Sequence, residues 1–242
     1  MLLCSVLFKT TLQGIKMFKI KDHSANCVED IVISNENSRE RLIEITQGHV
    51  PFPIAGKNGI LIFGLHGTGK TDLAKLLPSA LERAIAHAAL NQESEFIRCR
   101  QGLNGTSVMN LIEKIATYNS FNTSGLHYFT LDELDNLTTE AQQSLKSTMN
   151  LPNTAFIFTT NHIERIDKGL QDRSFLIQMN AANSKLWLPR VKAILTDYGV
   201  DDISDEELMP LIDACKGSAR NIINEAVLVA ARRRSKKLSA VI

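Results

Sequence analysis

The sequence predicts an α/β protein: a parallel sheet with helices on both faces, followed by a small all-helical domain. Three observations predict it. Five short apolar runs alternate with helical patterns between residues 59 and 179. A glycine-rich loop, Gly64-Leu65-His66-Gly67-Thr68-Gly69-Lys70-Thr71, joins the first run to the first helix of that series. Strand signals stop near residues 180–184, and three helical patterns follow.

Residues 1–36 show no clear repeat and carry a polar stretch from Lys21 to Asn26, so part of this segment is expected to be mobile. Ser38–Gln47 reads as a short helix with Leu42, Ile43 and Ile45 on its apolar side. A Pro/Gly-rich connection runs from Val50 to Gly59. Strands are expected at Gly59–Phe63, Glu95–Arg100, Leu126–Leu131, Thr154–Thr159 and Phe175–Met179. Helices are expected between them at Thr71–Ala89, Ser107–Tyr118 and Thr139–Met149. Thr139 and Gln142 have the spacing of a capping box. Pro78 is expected to kink its helix or shift its start.

Beyond residue 184 the helical patterns are Ser184–Tyr198, Ser204–Ala214 and Ser218–Arg234. Ser204 and Glu207 form a second capping box, Pro210 interrupts the same helix, and Ile222, Ile223, Ala226, Val227 and Ala230 make a stripe at helical spacing. The expected organisation is an N-terminal segment 1–36, an α/β domain 37–182, and a helical domain 183–242 with a basic tail.

The chain has 242 residues, 44% apolar and 22% charged, with a formal net charge of +1, as an ordinary soluble globular protein would. Bulk charge argues neither for nor against nucleic acid, so a DNA-binding surface would have to be a local patch. Cys4, Cys27, Cys99 and Cys215 are far apart with no C-x-x-C pair, which argues against a zinc module and for free thiols in a reducing cytoplasm. Met1 to Phe8 is apolar but lacks a basic start and an A-x-A site, so no signal peptide is expected there; Met17 offers a second start. No run approaches the ~20 apolar residues needed to cross a bilayer.

Gly64 to Thr71 has the spacing G-x-x-x-x-G-K-T. Glycines let such a backbone turn tightly and aim amide hydrogens at phosphate oxygens, so Gly64, Gly67, Thr68 and Gly69 are candidates for phosphate contact. Lys70 would reach the β- and γ-phosphates, and the Thr71 hydroxyl would ligate Mg²⁺. A second signal is the run Leu126 to Thr138, where an apolar strand ends in Asp132 and Glu133. At the carboxyl edge of a parallel sheet, Asp132 would hold the metal and Glu133 would orient or deprotonate an attacking water. A carboxylate beside the metal ligand suits water attack better than transfer to a small acceptor, which favours hydrolysis over a kinase reaction.

Three weaker signals follow. Asn161 ends the fourth strand, either to bond a phosphate or the water, or as a turn residue. Arg173 precedes the fifth strand, either as a finger into a neighbouring subunit's site or as a surface partner of Asp172 or Glu164. Arg220 lies in the first turn of the last helix, an odd position for a cation against the helix dipole unless a phosphate is near or water solvates it.

These elements in this order resemble an AAA+ ATPase, and within that superfamily the clamp-loader group, the small subunits of replication factor C and the ATPase subunits of the bacterial DNA polymerase III loader. The resemblance runs through "DIVISNENSRERL", "GLHGTGKT", "LDELDNLTTEAQQSLKSTMN", "NTAFIFTTNH" and "GSARNIIN", from about Val28 to Arg234. It implies a P-loop NTPase domain with a helical lid, using ATP and Mg²⁺. By it, Lys70 and Thr71 match the phosphate-loop lysine and hydroxyl. Asp132 and Glu133 match the metal ligand and the water-activating carboxylate, Asn161 the first sensor, and Arg220 the lid arginine that contacts the γ-phosphate. Arg173 matches the arginine supplied in trans, and Ile31 and Val32 match the segment that packs near adenine. The sequence departs from the pattern at Asp172-Arg173-Ser174, where the group has Ser-Arg-Cys, and at "DHSANCVEDI", where a basic-aromatic-proline entry is usual. No cysteine-rich zinc insert and no collar region follow the pattern, so a ring is expected to be held by ATP, DNA or another protein.

Two functions fit these readings. One is an oligomeric ATPase that remodels an assembly on DNA, its partners being further AAA+ subunits of the same or another chain. The other is an ATP-gated adaptor that recruits a protein such as a helicase, transposase or nuclease. Arg232 to Lys237 carries five cations in six residues, either a solvated run or a phosphate contact, and Lys9, Lys16, Lys19 and Lys21 are equally open.

Overall fold

The computed structural model describes residues 21–87 and 92–239, with side chains as far as residue 235. Its centre is a five-stranded, all-parallel sheet in the order β2-β3-β4-β1-β5. The strands are β1 (Gly59–Phe63), β2 (Ser94–Arg98), β3 (His127–Asp132), β4 (Thr154–Thr160) and β5 (Ser174–Gln178). Each lies within two residues of its predicted position at either end. Their apolar runs are continuous because a parallel sheet is covered on both faces.

Side chains alternate between the two faces, as strand geometry requires. Ile60, Ile62, Tyr128, Ile157 and Ile177 enter one core, with Leu42 and Ile45 of α1 (Glu36–Thr46) and Leu73, Leu77 and Leu81 of α2 (Lys70–Ala86). Leu61, Phe129, Leu131, Phe156 and Phe158 enter the other, with Val108 and Ile112 of α3 (Gly105–Ala116) and Leu145 of α4 (Thr139–Thr148). Phe129, Phe156 and Phe158 stack in succession at centroid separations of 5.5 and 5.9 Å. β4 is buried along its whole length, whereas β2 is an edge strand and mostly exposed.

Helix starts follow short polar caps. Asn35, Asn104, Asn183 and Ser204 accept the expected backbone N–H bonds. The cap of α4 is Thr138, accepting from Ala141 N at 3.3 Å, one residue before the predicted box at Thr139. α2 starts at Lys70 and continues past Pro78, and α7 (Asp205–Ala214) continues past Pro210. The predicted end of the α2 helix, Ala88 and Ala89, lies outside the described residues, as do Cys4, Met17, Lys9, Lys16 and Lys19. Cys27, Cys99 and Cys215 are free thiols.

A short α5 (Lys168–Asp172) leads into β5. Then α6 (Ser184–Asp197), α7 and α8 (Ala219–Ser239) build a separate apolar core from Trp187, Val191, Ile194, Leu208, Ile212, Ile222, Ala226 and Ala230. The helical stripe read from the sequence divides here. Ile222, Ala226 and Ala230 are buried, while Ile223 and Val227 are half-buried at the edge of a cavity. α8 also carries the basic run: Arg232 pairs with Glu225 at 3.1 Å and Arg233 with Glu207. Among the described residues no helix is long and apolar enough to cross a membrane.

One buried polar network ties α2 to the sheet. Glu82, 2% exposed, accepts from Ser124 N at 2.8 Å, Ser124 Oγ at 2.6 Å and the Tyr128 hydroxyl at 2.9 Å. Burial pushes the Tyr128 phenol well above its ordinary pKa. Removing one partner from such a network strands the others without water. Glu82→Ala is therefore expected to destabilise the protein by about 2–4 kcal/mol, read from urea denaturation followed by circular dichroism.

Candidate nucleotide site

The glycine-rich loop leaves β1 at the carboxyl edge of the sheet, where ligands of open α/β sheets gather. Gly64 has φ +142°, and a Cβ there would lie 2.2 Å from the Met179 carbonyl oxygen, so only glycine fits. Gly67 and Gly69 have φ of +74° and +93°. Gly69 is the N-cap of α2 and offers no side chain to the first-turn amides. Among the described residues, no hydrogen bond takes the backbone N–H groups of residues 67–71. The start of α2 is thus a cluster of free donors at the positive end of a helix, suited to phosphate.

Lys70, 7% exposed, folds back over this loop and donates to the carbonyls of Gly64 at 2.9 Å and Leu65 at 2.5 Å. Burial lowers its pKa to about 8, opposed by the charges of Asp135 and Asp132. The Thr68 hydroxyl closes the loop by donating to the Leu65 carbonyl at 2.9 Å.

Asp132 is fully buried at the end of β3. Its Oδ1 accepts from the hydroxyls of Thr71 at 2.8 Å and Thr159 at 2.7 Å. Its Oδ2 faces the Arg98 guanidinium, with Nε and Nη2 both at 3.4 Å. Glu133 follows in the left-handed region at φ 60°, ψ 51°, an uncommon conformation for a residue with a side chain. Its N–H donates to Thr159 Oγ at 2.9 Å, and Asn136 Nδ2 donates to its Oε2 at 3.3 Å. Behind the acidic pair, burial and the neighbouring carboxylates push the Cys99 thiol up to about 12, so it is held as an inert thiol.

A cavity of about 920 Å³ opens over these groups. Gly67, Thr68, Gly69, Lys70 and Thr71 line it from the loop, and Glu133 and Asn161 from the strand ends. Arg220 lines it from α8, and Ile31 and Val32 from the segment before α1. Gly64 and Asp132 do not line it, but hydrogen-bond to Lys70 and Thr71, which do. The loop touches the helical domain, since a Cβ on Gly67 would meet Ser218 Oγ at 2.8 Å.

Arg173 is elsewhere. Its carbonyl accepts from Gly59 N at 3.1 Å at the amino edge of the sheet, and its guanidinium donates to the Gly169 carbonyl at 3.3 Å. The five-residue β1 separates that edge from the loop by about 16 Å. Glu164 pairs with His162 at 3.0 Å, and among the described residues Arg173 makes no ion pair.

Sequence reasoning missed Arg98, Thr159, His23 and Trp187, which also line the cavity. The first two were legible in principle. Parallel register pairs Arg98 with Asp132 and Leu131 with Phe158, which sets Thr159 beside Asp132. His23 and Trp187 belong to no motif, and only the tertiary fold brings them together.

A sequence profile described as "ATPase family associated with various cellular activities (AAA)" matches residues 60–180, half of the chain. The chain belongs to the AAA family of ATPases. Its AAA region carries both the loop and the acidic pair. The chain is similar to Replication factor C small subunit 2 of Pyrobaculum islandicum, 29% identical over 84% of this chain and 60% of the relative. It is similar to Replication factor C small subunit of Thermoplasma volcanium, 29% identical over 76% of this chain and 57% of the relative. Replication factor C small subunit 1 of Pyrobaculum aerophilum is 26% identical over 88% of this chain and 62% of its own length. This AAA chain thus spans about three fifths of the length of the curated relatives it matches.

The segment before α1 is held against the helical domain at this cavity. Arg190 of α6 pairs with Asp30 at 3.0 Å and donates to the His23 carbonyl at 3.1 Å. The His23 ring, 8% exposed, packs edge-on against Tyr198. Burial lowers the His23 pKa, opposed by Asp197 and reinforced by Arg190 and Lys21, with Asp22 a small opposing charge. A histidine whose folded pKa is depressed binds its proton more readily when unfolded, so stability falls as pH drops below the ordinary value of about 6.5. The melting temperature is expected to be lower at pH 5.5 than at pH 7.5, and His23→Phe to reduce that difference.

Proposed function

We propose that this AAA protein hydrolyses ATP at seams between protomers and uses the cycle to remodel an assembly on DNA. The observation that carries this reading is the separation of Arg173 from the cavity in its own chain. A strand-length away, it cannot serve the site that Lys70, Glu133, Asn161 and Arg220 surround, but it makes no ion pair among the described residues and can serve a neighbour's. The matched relatives are named as replication factor C small subunits, which favours DNA as the setting.

In this scheme the amides of residues 67–71 and the Lys70 ammonium bind the phosphates. Thr71 and Asp132 fit a divalent cation, since a hydroxyl and a carboxylate oxygen 2.8 Å apart are hard donors of the kind Mg²⁺ takes. Held by Thr71 and Asp132, such a cation would supply positive charge against the charge that develops on the phosphate during hydrolysis. Glu133, its backbone pinned by Thr159, orients the water and takes its proton. Asn161 holds the water or the γ-phosphate from the β4 end. Arg220 reports the γ-phosphate to the helical domain, which rests on the loop at Gly67. Arg173 of the neighbouring protomer completes the charge balance.

The test mixes two defective proteins. Arg173→Ala keeps nucleotide binding and is expected to lose turnover by about 10³-fold. Glu133→Gln is expected to accumulate as an ATP-bound oligomer, seen by mass measurement. Each retains what the other lacks, so an equimolar mixture regains activity if the seam is real. Normal hydrolysis by Arg173→Ala would sink the scheme. Stimulation of wild-type turnover by DNA that fades at high salt supports the remodelling role; stimulation by a protein partner alone supports the adaptor role instead.

Arg98 holds Asp132 Oδ2 as a counter-cation, and a divalent cation arriving at Asp132 competes with it. Arg98→Ala is expected to tighten Mn²⁺ binding to the nucleotide complex several-fold by electron paramagnetic resonance. The same variant should melt earlier in metal-free buffer, with Mg²⁺ restoring much of the loss.

A further inference from the structure

Among the described residues, two buried side-chain polar atoms lack a hydrogen-bond partner: His23 Nε2 and Trp187 Nε1. Both side chains line the same cavity, the one that carries the phosphate loop. They are 8% and 4% exposed, so water does not solvate them in place of a partner. Buried polar atoms are nearly always satisfied, and orphans gathered at one cavity point to a ligand that supplies the missing partners.

The helical region supplies part of that lining, from Trp187 and Arg190 of α6 and from Arg220, Ile223 and Val227 of α8. α8 starts against the loop, where Ser218 approaches Gly67, and then runs away from it. Ile223 and Val227 follow along the cavity wall, Val227 about 13 Å beyond Ser218 at helical rise. With Ile31 and Val32 they give the lining of this cavity an apolar part beside its polar phosphate loop.

The two nitrogens differ in kind. An indole N–H can only donate. The His23 Nδ1 faces Asp197 Oδ2 at 3.8 Å, which favours the proton on Nδ1 and leaves Nε2 as an acceptor. A donor and an acceptor lining one cavity complement the edge of adenine that presents N7 and the 6-amino group. Guanine presents two acceptors on that edge, N7 and O6, and its O6 would oppose Nε2.

We infer that His23 and Trp187 select the nucleobase, Trp187 donating to N7 of adenine and His23 accepting from its 6-amino group. The inference rests on the ATP-binding reading above and adds what discriminates the base. His23 belongs to the segment before α1 and Trp187 to α6, so the base contact draws both together. Arg190, one turn beyond Trp187, already holds the His23 carbonyl at 3.1 Å.

Nucleoside diphosphates test this without turnover. The sequence contains one tryptophan, so intrinsic fluorescence reports directly on residue 187. Titration calorimetry covers the Trp187→Phe variant, which keeps an aromatic ring in the core. The nucleotides are ADP, GDP, 7-deaza-ADP, which lacks the N7 acceptor, and purine riboside diphosphate, which lacks the 6-amino group. For the wild type, each altered base is expected to weaken binding about tenfold relative to ADP. Trp187→Phe should lose the penalty for 7-deaza-ADP and keep that for the purine nucleotide. His23→Phe should do the reverse, and His23→Gln, whose amide can still accept, should restore the preference for the 6-amino group. Circular dichroism melts check that each variant is folded.

Equal wild-type affinity for ADP and 7-deaza-ADP, or altered-base penalties unchanged in both variants, would overturn the inference. Lys70→Ala separates the two levels: it should weaken every nucleotide alike. If it does while the bases are not distinguished, the phosphate site stands and the base reading falls. If wild-type protein binds none of the four, the nucleotide reading itself falls, and the inference with it.

Discussion

The site is organised around one buried carboxylate. Asp132 is removed from water at the end of a central strand, and an ion in that position is tolerable only when its oxygens are paired. Two hydroxyls and a guanidinium meet that requirement, and each comes from a different element: Thr71 from α2, Thr159 from β4, Arg98 from β2. The same demand therefore fixes how four elements meet at the carboxyl edge. Thr159 serves twice, donating to Asp132 and accepting from the Glu133 amide, so the uncommon backbone conformation of Glu133 is held by the partner of its neighbour. Electrostatics at Asp132 and the aim of Glu133 are one construction.

A similar economy holds at the loop. The first turn of α2 has no side-chain cap because its N-cap is Gly69, in a left-handed conformation. An ordinary helix would satisfy those amides with a short polar side chain, as Asn35, Asn104, Thr138, Asp167, Asn183 and Ser204 do here. Leaving them unpaired keeps donors available to an anion. Lys70 meanwhile rests on the loop's own carbonyls, already near the phosphates it would meet.

The sheet was legible because its evidence is local. Each strand is an apolar run ended by a turn, and Gly64 to Thr71 has a fixed spacing that binds chemistry to position. Asp132 and Glu133 were legible for the same reason. Thr139 was misjudged as a cap by one residue, since Thr138 and Thr139 are chemically alike and only the backbone dihedrals separate them. Pro78 does not end α2, which continues past it with Leu77, Pro78 and Leu81 buried. The residues that escaped notice act across the sheet or between domains. Arg98 could be found only through strand register, and His23 with Trp187 only through the docking of the helical domain, because no short pattern encodes a contact between residues so far apart in sequence.

The placement of Arg173 bears on symmetry. Its guanidinium lies at the amino edge of the sheet and the nucleotide cavity at the carboxyl edge, so one protomer presents two different surfaces on opposite sides. Copies joined through them associate head to tail, which a two-fold axis cannot satisfy for both partners. Such an array either closes into a cycle or winds as an open spiral with unlike ends. Under the proposed seam, the terminal cavity of the open form would have no arginine to receive, so the array would have one fewer competent station than it has subunits, and a direction in which firing could proceed.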